Sequence, residues 1–382
     1  MLHLLSLFYW IYNGNLDYTF FGSVIDYPYS NETIRNTYIF NLIIFLAYLL
    51  GWVLSKKLYG SKLNQIKLKP YYRENKSFTA ILKILLIVFI STNFLVFISA
   101  NGNYWEINKI KESLNFIFEL RVLINLLCIY LLLNKIPLSA LTKIMLFIYF
   151  LSLCMLQARS VIFEFIFAII TPYLISKKIN LKIFIILCIT PIMPNIIVAF
   201  RFLNTYSPQE ILMYFFSFEY LTLFNLIVSE SILKYTEFND FLFGETYLTS
   251  IKLILPSFIR DIFEISVDRG SDIANVRYSS GVHGGGFSMV GELFMNFGYF
   301  SFIPVFVYSL LINSSLYHIS KKYLLQQKIS FIECITPLIL VMTILSLRND
   351  TASLIKYIIQ LIFIACSLSL LIKLSRKNQS YP

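Results

Sequence analysis

The sequence predicts an all-α protein, a polytopic transmembrane helix bundle of about ten spans. Three observations carry that prediction. Of 382 residues, 57% are hydrophobic and only 14% charged, whereas a soluble domain averages about 25% charged residues. Mean hydropathy is +0.70. The apolar residues also gather into runs near the length of a membrane crossing, separated by short basic segments. Disordered, collagen-like and disulfide-scaffold classes are excluded as well, because 13 Gly, 11 Pro and 5 Cys are scattered through a Leu/Ile/Phe/Tyr-rich chain. The net charge of +11 reads as a record of membrane topology, and no nucleic-acid partner is expected.

Crossing about 30 Å of hydrocarbon takes about 20 apolar residues at about 1.5 Å rise per residue. Spans are read at 2–13, 36–55, 78–99, 115–134, 138–156, 161–176, 183–200, 292–316, 331–347 and 351–372. The first, built on Leu2 to Tyr12, is short. It lacks a basic leader and a small-residue cleavage site, so it reads as a short or tilted helix rather than a signal peptide. After the second span come Lys56, Lys57, Lys62, Lys67, Lys69, Arg73 and Lys76 against the single acid Glu74. Alternating from there, Lys135 with Lys143, Lys177 with Lys178 and Lys182, Lys321 with Lys322 and Lys328, and Lys373 with Arg376 and Lys377 all fall on the same side. The positive-inside rule makes that side cytoplasmic, with both termini on it.

One large extracytoplasmic loop, 201–290, follows from this topology. Within it Ile211 to Leu233 is apolar but interrupted by Ser217, Glu219, Thr222, Asn225 and Ser229, a pattern for an interfacial or re-entrant helix. A full span there would move Lys321, Lys322, Lys373 and Lys377 outside, against the charge bias. The chain reads as a single integral membrane domain, 1–382. Its cysteines, Cys128, Cys154, Cys188, Cys334 and Cys366, all lie in spans, as packing residues with no disulfide framework and no CxxC metal site.

Lysine and arginine are distributed differently. Lysines follow the inner segments, whereas Arg35, Arg159, Arg201, Arg260, Arg269, Arg277 and Arg348 are read outside. Charge bias alone would deplete both residue types there. Guanidinium stays protonated and grips phosphate at two points, while lysine is a point charge, so retained arginines suggest a phosphate ligand. Arg159, Arg201 and Arg348 stand at outer span ends, where helix packing would gather them, and Arg260, Arg269 and Arg277 come from the loop. Snorkelling to headgroups accounts for such arginines equally well. Asp261, Glu264, Asp268 and Asp272 offer local partners in the loop, and Glu164 offers one to Arg121 within the spans.

From Gly281 the chain reads GVHGGGFSMVGELFMNFGYF. Gly281, Gly284, Gly285 and Gly286 surround His283, and a helix is expected from about Phe287. Glycines there let backbone amides approach a ligand, and a helix N-terminus favours anions. Ser288, Glu292 and Asn296 recur every fourth residue, which puts three polar groups on one helical face. The stretch is neither a Walker loop nor a dinucleotide fingerprint. Two candidate general bases result, His283 and Glu292, and the sequence leaves the choice open. Neither HExxH nor an outer DxD pair occurs, so no metal and no cofactor is expected.

The stretch GGGFSMVGELFMNFGYFSF, the turn Gln157-Ala158-Arg159-Ser160 and the polytopic layout with a late outer loop resemble the bacterial oligosaccharide repeat-unit polymerases, the Wzy-type O-antigen polymerase family. The resemblance implies an inner-membrane glycosyltransferase of the GT-C type. Such an enzyme joins undecaprenyl-pyrophosphate-linked repeats at the periplasmic face in lipopolysaccharide or related surface polysaccharide biosynthesis. Under it, Glu292 or His283 takes the acceptor proton, and Arg159, Arg201, Arg277 and Arg348, with Arg260 in reserve, hold the pyrophosphate. Ser288, Asn296, Gly285 and Gly286 would meet the acceptor sugar. A chain-length regulator and a flippase of the same pathway are the implied protein partners.

Three other classes compete. A lipid-linked oligosaccharide flippase or other transporter is expected to show related halves and discontinuous midplane helices. An O-antigen ligase would use the same chemistry, and the sequence does not separate it from a polymerase. A non-catalytic chain-length protein would carry fewer spans and a larger soluble domain.

Overall fold

The structure is a computed structural model that describes residues 17–20, 23–26, 30–59, 76–114, 118, 120–156, 159–175, 228–229, 231–237, 240–253, 255, 260, 262–265, 288–325, 327–346 and 351–378. Apart from one short antiparallel hairpin, β1 (Asp17–Phe20) with β2 (Ser23–Asp26), the named elements are helical. They are α1 (Asn31–Tyr59), α2 (Lys76–Ser99), α3 (Tyr104–Ser113), α4 (Arg121–Leu133), α5 (Ala140–Met155) and α6 (Arg159–Ile175). After them come α7 (Glu245–Lys252), α8 (Met289–Phe297), a 3-10 turn (Gly298–Ser301), α9 (Phe302–Leu324), α10 (Phe331–Ser346) and α11 (Thr351–Asn378).

Three stretches are long and apolar enough to cross a membrane: Arg35–Tyr59, Ser77–Ser99 and Met289–Leu324. Arg121–Leu133, Ala140–Met155, Val161–Ile175, Phe331–Thr343 and Leu354–Leu370 are shorter apolar helices. The expected spans within the described residues overlap apolar helices, that at 292–316 in two pieces. Those at 2–13 and 183–200 lie outside them, as does most of 211–233.

Local chemistry sets the helix ends. The Ser30 hydroxyl accepts the Thr33 amide at 3.2 Å at the start of α1, and Glu32 in its first turn with Lys56 and Lys57 in its last suits the helix dipole. Beyond α2 the chain turns through left-handed Asn101 and Gly102, whose amide bonds the Phe97 carbonyl at 3.0 Å. Ser330 and Glu333 form a reciprocal capping box on α10: the Ser330 amide donates to Glu333 Oε2 at 2.8 Å and the Glu333 amide to Ser330 Oγ at 3.3 Å.

The chain divides into two compact units. One comprises Gly60–Phe216, Ser315–Val341 and Leu361–Pro382. In it α2 packs on α4 and α5, and α6 packs on the same two helices, so the four close on one another. Polar side chains face inward: Asn93 donates to Ser152 at 2.9 Å, and Asn125 to Glu164 at 3.2 Å. Large apolar side chains such as Ile84, Ile87, Leu95, Ile98, Ile144 and Phe147 are exposed instead. An apolar exterior of this kind suits helices whose outer solvent is lipid.

The other unit comprises Met1–Tyr59, Ser217–Ser314 and Met342–Gln360. Here α1 and α9 approach closely through small residues. A Cβ on Gly51 would come within 2.7 Å of the Ser309 Cβ, and hydroxyls seal the contact, Ser309 to the Tyr48 carbonyl at 2.6 Å and Ser55 to the Leu310 carbonyl at 3.0 Å. Small-residue contacts with hydroxyl bonds across them are how helices associate where lipid removes the hydrophobic drive. The core of this unit joins Phe40, Val228, Tyr235, Val290, Phe294 and Met295.

The span expected at 292–316 is not one helix. α8 ends at Gly298, which adopts φ +53°, and α9 begins only after the 3-10 turn. A break frees carbonyls that lipid cannot solvate. The chain supplies the missing donors itself: the Gly298 amide reaches the Phe294 carbonyl, the Leu242 amide that of Met295 at 3.0 Å and the Phe243 amide that of Asn296 at 3.1 Å. The Ser301 hydroxyl lies within reach of the Leu293 and Gly298 carbonyls at 2.8 and 2.6 Å.

Gly298 is required twice over, since a Cβ there would also sit 2.5 Å from the Phe241 ring. Gly298→Ala is expected to destabilise the protein by about 2 kcal/mol. Thermal unfolding in detergent micelles checks this, and an unchanged midpoint would contradict the strain assigned to the break.

Candidate functional site

The face of α8 marked by Ser288, Glu292 and Asn296 is wholly buried, each of the three being 0% exposed. Ser288 caps the helix, its Oγ accepting the Val290 amide at 3.3 Å. α8 therefore starts one residue after Ser288, two beyond the expected Phe287.

Glu292 reaches across to α11. Its Oε2 accepts the Thr351 backbone amide at 2.7 Å. Thr351 opens that helix, so the carboxylate occupies one of the donors that a helix start leaves without an internal partner. The dipole of α11 favours negative charge at that point. A carboxylate so placed is held on one rigid helix by the start of another.

Asn296, expected against sugar, makes a clamp within the fold. Its Oδ1 accepts the Gly244 amide at 2.9 Å; its amide hydrogens go to the Thr246 hydroxyl and the Glu292 carbonyl, both at 2.8 Å. No amide hydrogen remains for a ligand. The clamp fixes a turn in which Phe243 and Gly244 both have positive φ, 45° and 91°, and so sets the start of α7.

Tyr247, on that first turn of α7, is the residue the sequence reading missed. Its ring packs against Phe297, centroids 5.8 Å apart, and its hydroxyl is buried. The phenol lies beside Thr351 and within electrostatic reach of Glu292, and burial, then the Glu292 charge, push its pKa well above the ordinary tyrosine value. It stays a protonated hydroxyl throughout the physiological range. Nothing in the sequence singles it out among 26 tyrosines, because only the Asn296 clamp brings it to Glu292.

Among the arginines, Arg260 is partly exposed with a buried Nε that has no hydrogen-bond partner, and its carbonyl accepts the Ile265 amide at 2.9 Å. Arg159 opens α6 and is described in its backbone alone. Arg201, Arg277, Arg348, His283, Gly285 and Gly286 lie outside the described residues. Arg348 is three residues upstream of Thr351, a chain separation of at most about 11 Å. In the other unit, Glu164, expected beside Arg121, accepts from Asn125. Tyr149 lies within electrostatic reach of both Arg121 and Glu164.

The chain matches no family model, no curated protein and no solved structure. Asn296→Ala should release the 242–247 turn. Hydrogen exchange is expected to speed at the Gly244 amide by tenfold or more, following the loss of about 1–3 kcal/mol of local hydrogen bonding. Unaltered protection there would show that the clamp holds nothing.

Proposed function

We propose that this protein polymerises lipid-linked oligosaccharide repeat units at the periplasmic face of a bacterial inner membrane, as a multi-pass glycosyltransferase of about ten spans. The observation that carries the reading is the buried Glu292 carboxylate, fixed at 2.7 Å on the first amide of α11, three residues of chain from Arg348. On this reading Glu292 is the base, and Arg348, close to Thr351 in the chain, is the cation suited to diphosphate.

The reaction is a displacement at the anomeric carbon of a polyprenyl-pyrophosphate-linked saccharide. The oxygen of an acceptor hydroxyl forms the new C–O bond, and the bond from that carbon to the pyrophosphate breaks. The diphosphate departs with the electron pair. The hydroxyl proton passes to the base, Glu292 in the favoured assignment and His283 in the alternative. Guanidinium groups stabilise the charge that grows on the leaving group, with Arg348 foremost and Arg260 and Arg277 as loop candidates. The same chemistry performed on lipid A core would be ligation.

The break between α8 and α9 favours one second reading, since discontinuous helices also line substrate paths in transporters. On that reading the protein moves a lipid-linked oligosaccharide across the bilayer.

Deletion of the gene separates these outcomes on a lipopolysaccharide gel. A polymerase deletion leaves one repeat on core, whereas loss of a flippase or ligase leaves none. Restoring the gene as Glu292→Gln keeps a carbonyl acceptor for the Thr351 amide, so folding should survive while polymerisation falls about 100-fold or more. Full activity of that variant would transfer the base role to His283. Arg348→Lys keeps the charge but loses the planar fork. It is expected to lower polymerisation at unchanged expression, and wild-type activity would remove Arg348 from the site.

A further inference from the structure

The centre at Glu292 contains two hydroxyls that the fold does not use. The Tyr247 and Thr351 side-chain oxygens are both buried, and neither completes a hydrogen bond of normal geometry, although the two groups approach each other. Paired only with each other and outside normal geometry, the two hydroxyls keep hydrogen-bonding capacity that the fold leaves unused.

Two neighbouring groups are engaged within the fold. The Thr351 amide is taken by Glu292, and Asn296 has both amide hydrogens engaged. The turn carrying Tyr247 is itself pinned by the carbonyls of the broken helix, which accept the Leu242 and Phe243 amides. A relaxed fold could close such a gap by a rotamer change. Here α7, α8 and the start of α11 meet, with the Tyr247 phenol within electrostatic reach of the Glu292 carboxylate and beside the Thr351 hydroxyl.

We propose that Tyr247 and Thr351 form the seat for the acceptor hydroxyl, with the Tyr247 phenol as hydrogen-bond donor to its oxygen and the Thr351 hydroxyl as a second contact. The inference rests on the polymerase reading and deepens it by placing the acceptor hydroxyl on the α7 side of Glu292. Because the phenol keeps its proton, it serves as donor and positioning group while Glu292 receives the acceptor proton.

The test uses the full-length protein in liposomes, with lipid-linked repeat units purified from a strain lacking the gene. Two inhibitors probe the two sides of the site: the repeat oligosaccharide freed of its lipid pyrophosphate, and undecaprenyl pyrophosphate. Tyr247→Phe removes one oxygen and keeps the ring on Phe297. It should weaken inhibition by the free oligosaccharide about tenfold, leave inhibition by undecaprenyl pyrophosphate within twofold, and keep the unfolding midpoint of the wild type. Thr351→Val, which keeps the backbone amide for Glu292, should act in the same direction.

Equal loss of both inhibitors would mean a general disturbance of the site and would overturn the proposal. So would unchanged inhibition by the oligosaccharide. If the wild-type protein forms no polymer under these conditions, the polymerase reading falls and this seat falls with it. If it polymerises and both variants match it, the seat alone is wrong.

Discussion

A helix that stops in an apolar segment must find partners for its carbonyls without water, and the rest of this site is arranged around that requirement. The α8 break is sealed by amides of Leu242 and Phe243 and by the Ser301 hydroxyl. Lending those amides fixes the 242–247 turn, and fixing the turn carries Tyr247 to Glu292. The Asn296 clamp completes the arrangement from the opposite side. The three polar groups on this face of α8 make different contacts within the fold. Ser288 starts the helix, Asn296 holds the neighbouring turn, and Glu292 alone reaches a second helix start.

Each unit also carries large apolar side chains on its outside as well as in its core. Asn93, Asn125, Ser152 and Glu164 are buried, whereas Leu50, Ile84, Leu95, Phe147 and Leu311 are exposed. Lipid explains both halves of this. Apolar side chains lose nothing by facing hydrocarbon, and polar groups must pair with one another or incur several kcal/mol of desolvation. The small-residue contact at Gly51 and Ser309 follows from the same solvent, because close backbone approach replaces hydrophobic drive there.

Helix positions were legible because they depend on composition over long windows: the spans read at 36–55, 78–99, 138–156 and 161–176 coincide with α1, α2, α5 and α6. The burial of Ser288, Glu292 and Asn296 was legible from their fourfold spacing. The α8 break was not, although Gly298 stood in plain view, since a glycine in a span is common and the Phe241 ring that excludes a Cβ there comes from a distant part of the chain. The same holds for Asn296, whose role is set by Gly244 and Thr246, about fifty residues away. Tyr247 and Thr351 carried no signal because neither spacing nor residue type marks them, and only tertiary contact joins them to Glu292.

The most direct test of the central claim is the stoichiometry of the reaction. Purified protein in liposomes, given lipid-linked repeat units in the presence of a chelator, should release one undecaprenyl pyrophosphate for each glycosidic bond formed, counted by mass spectrometry as chains lengthen. Chain growth without that release, or movement of intact lipid-linked repeats across the bilayer with no new bond, would contradict the account.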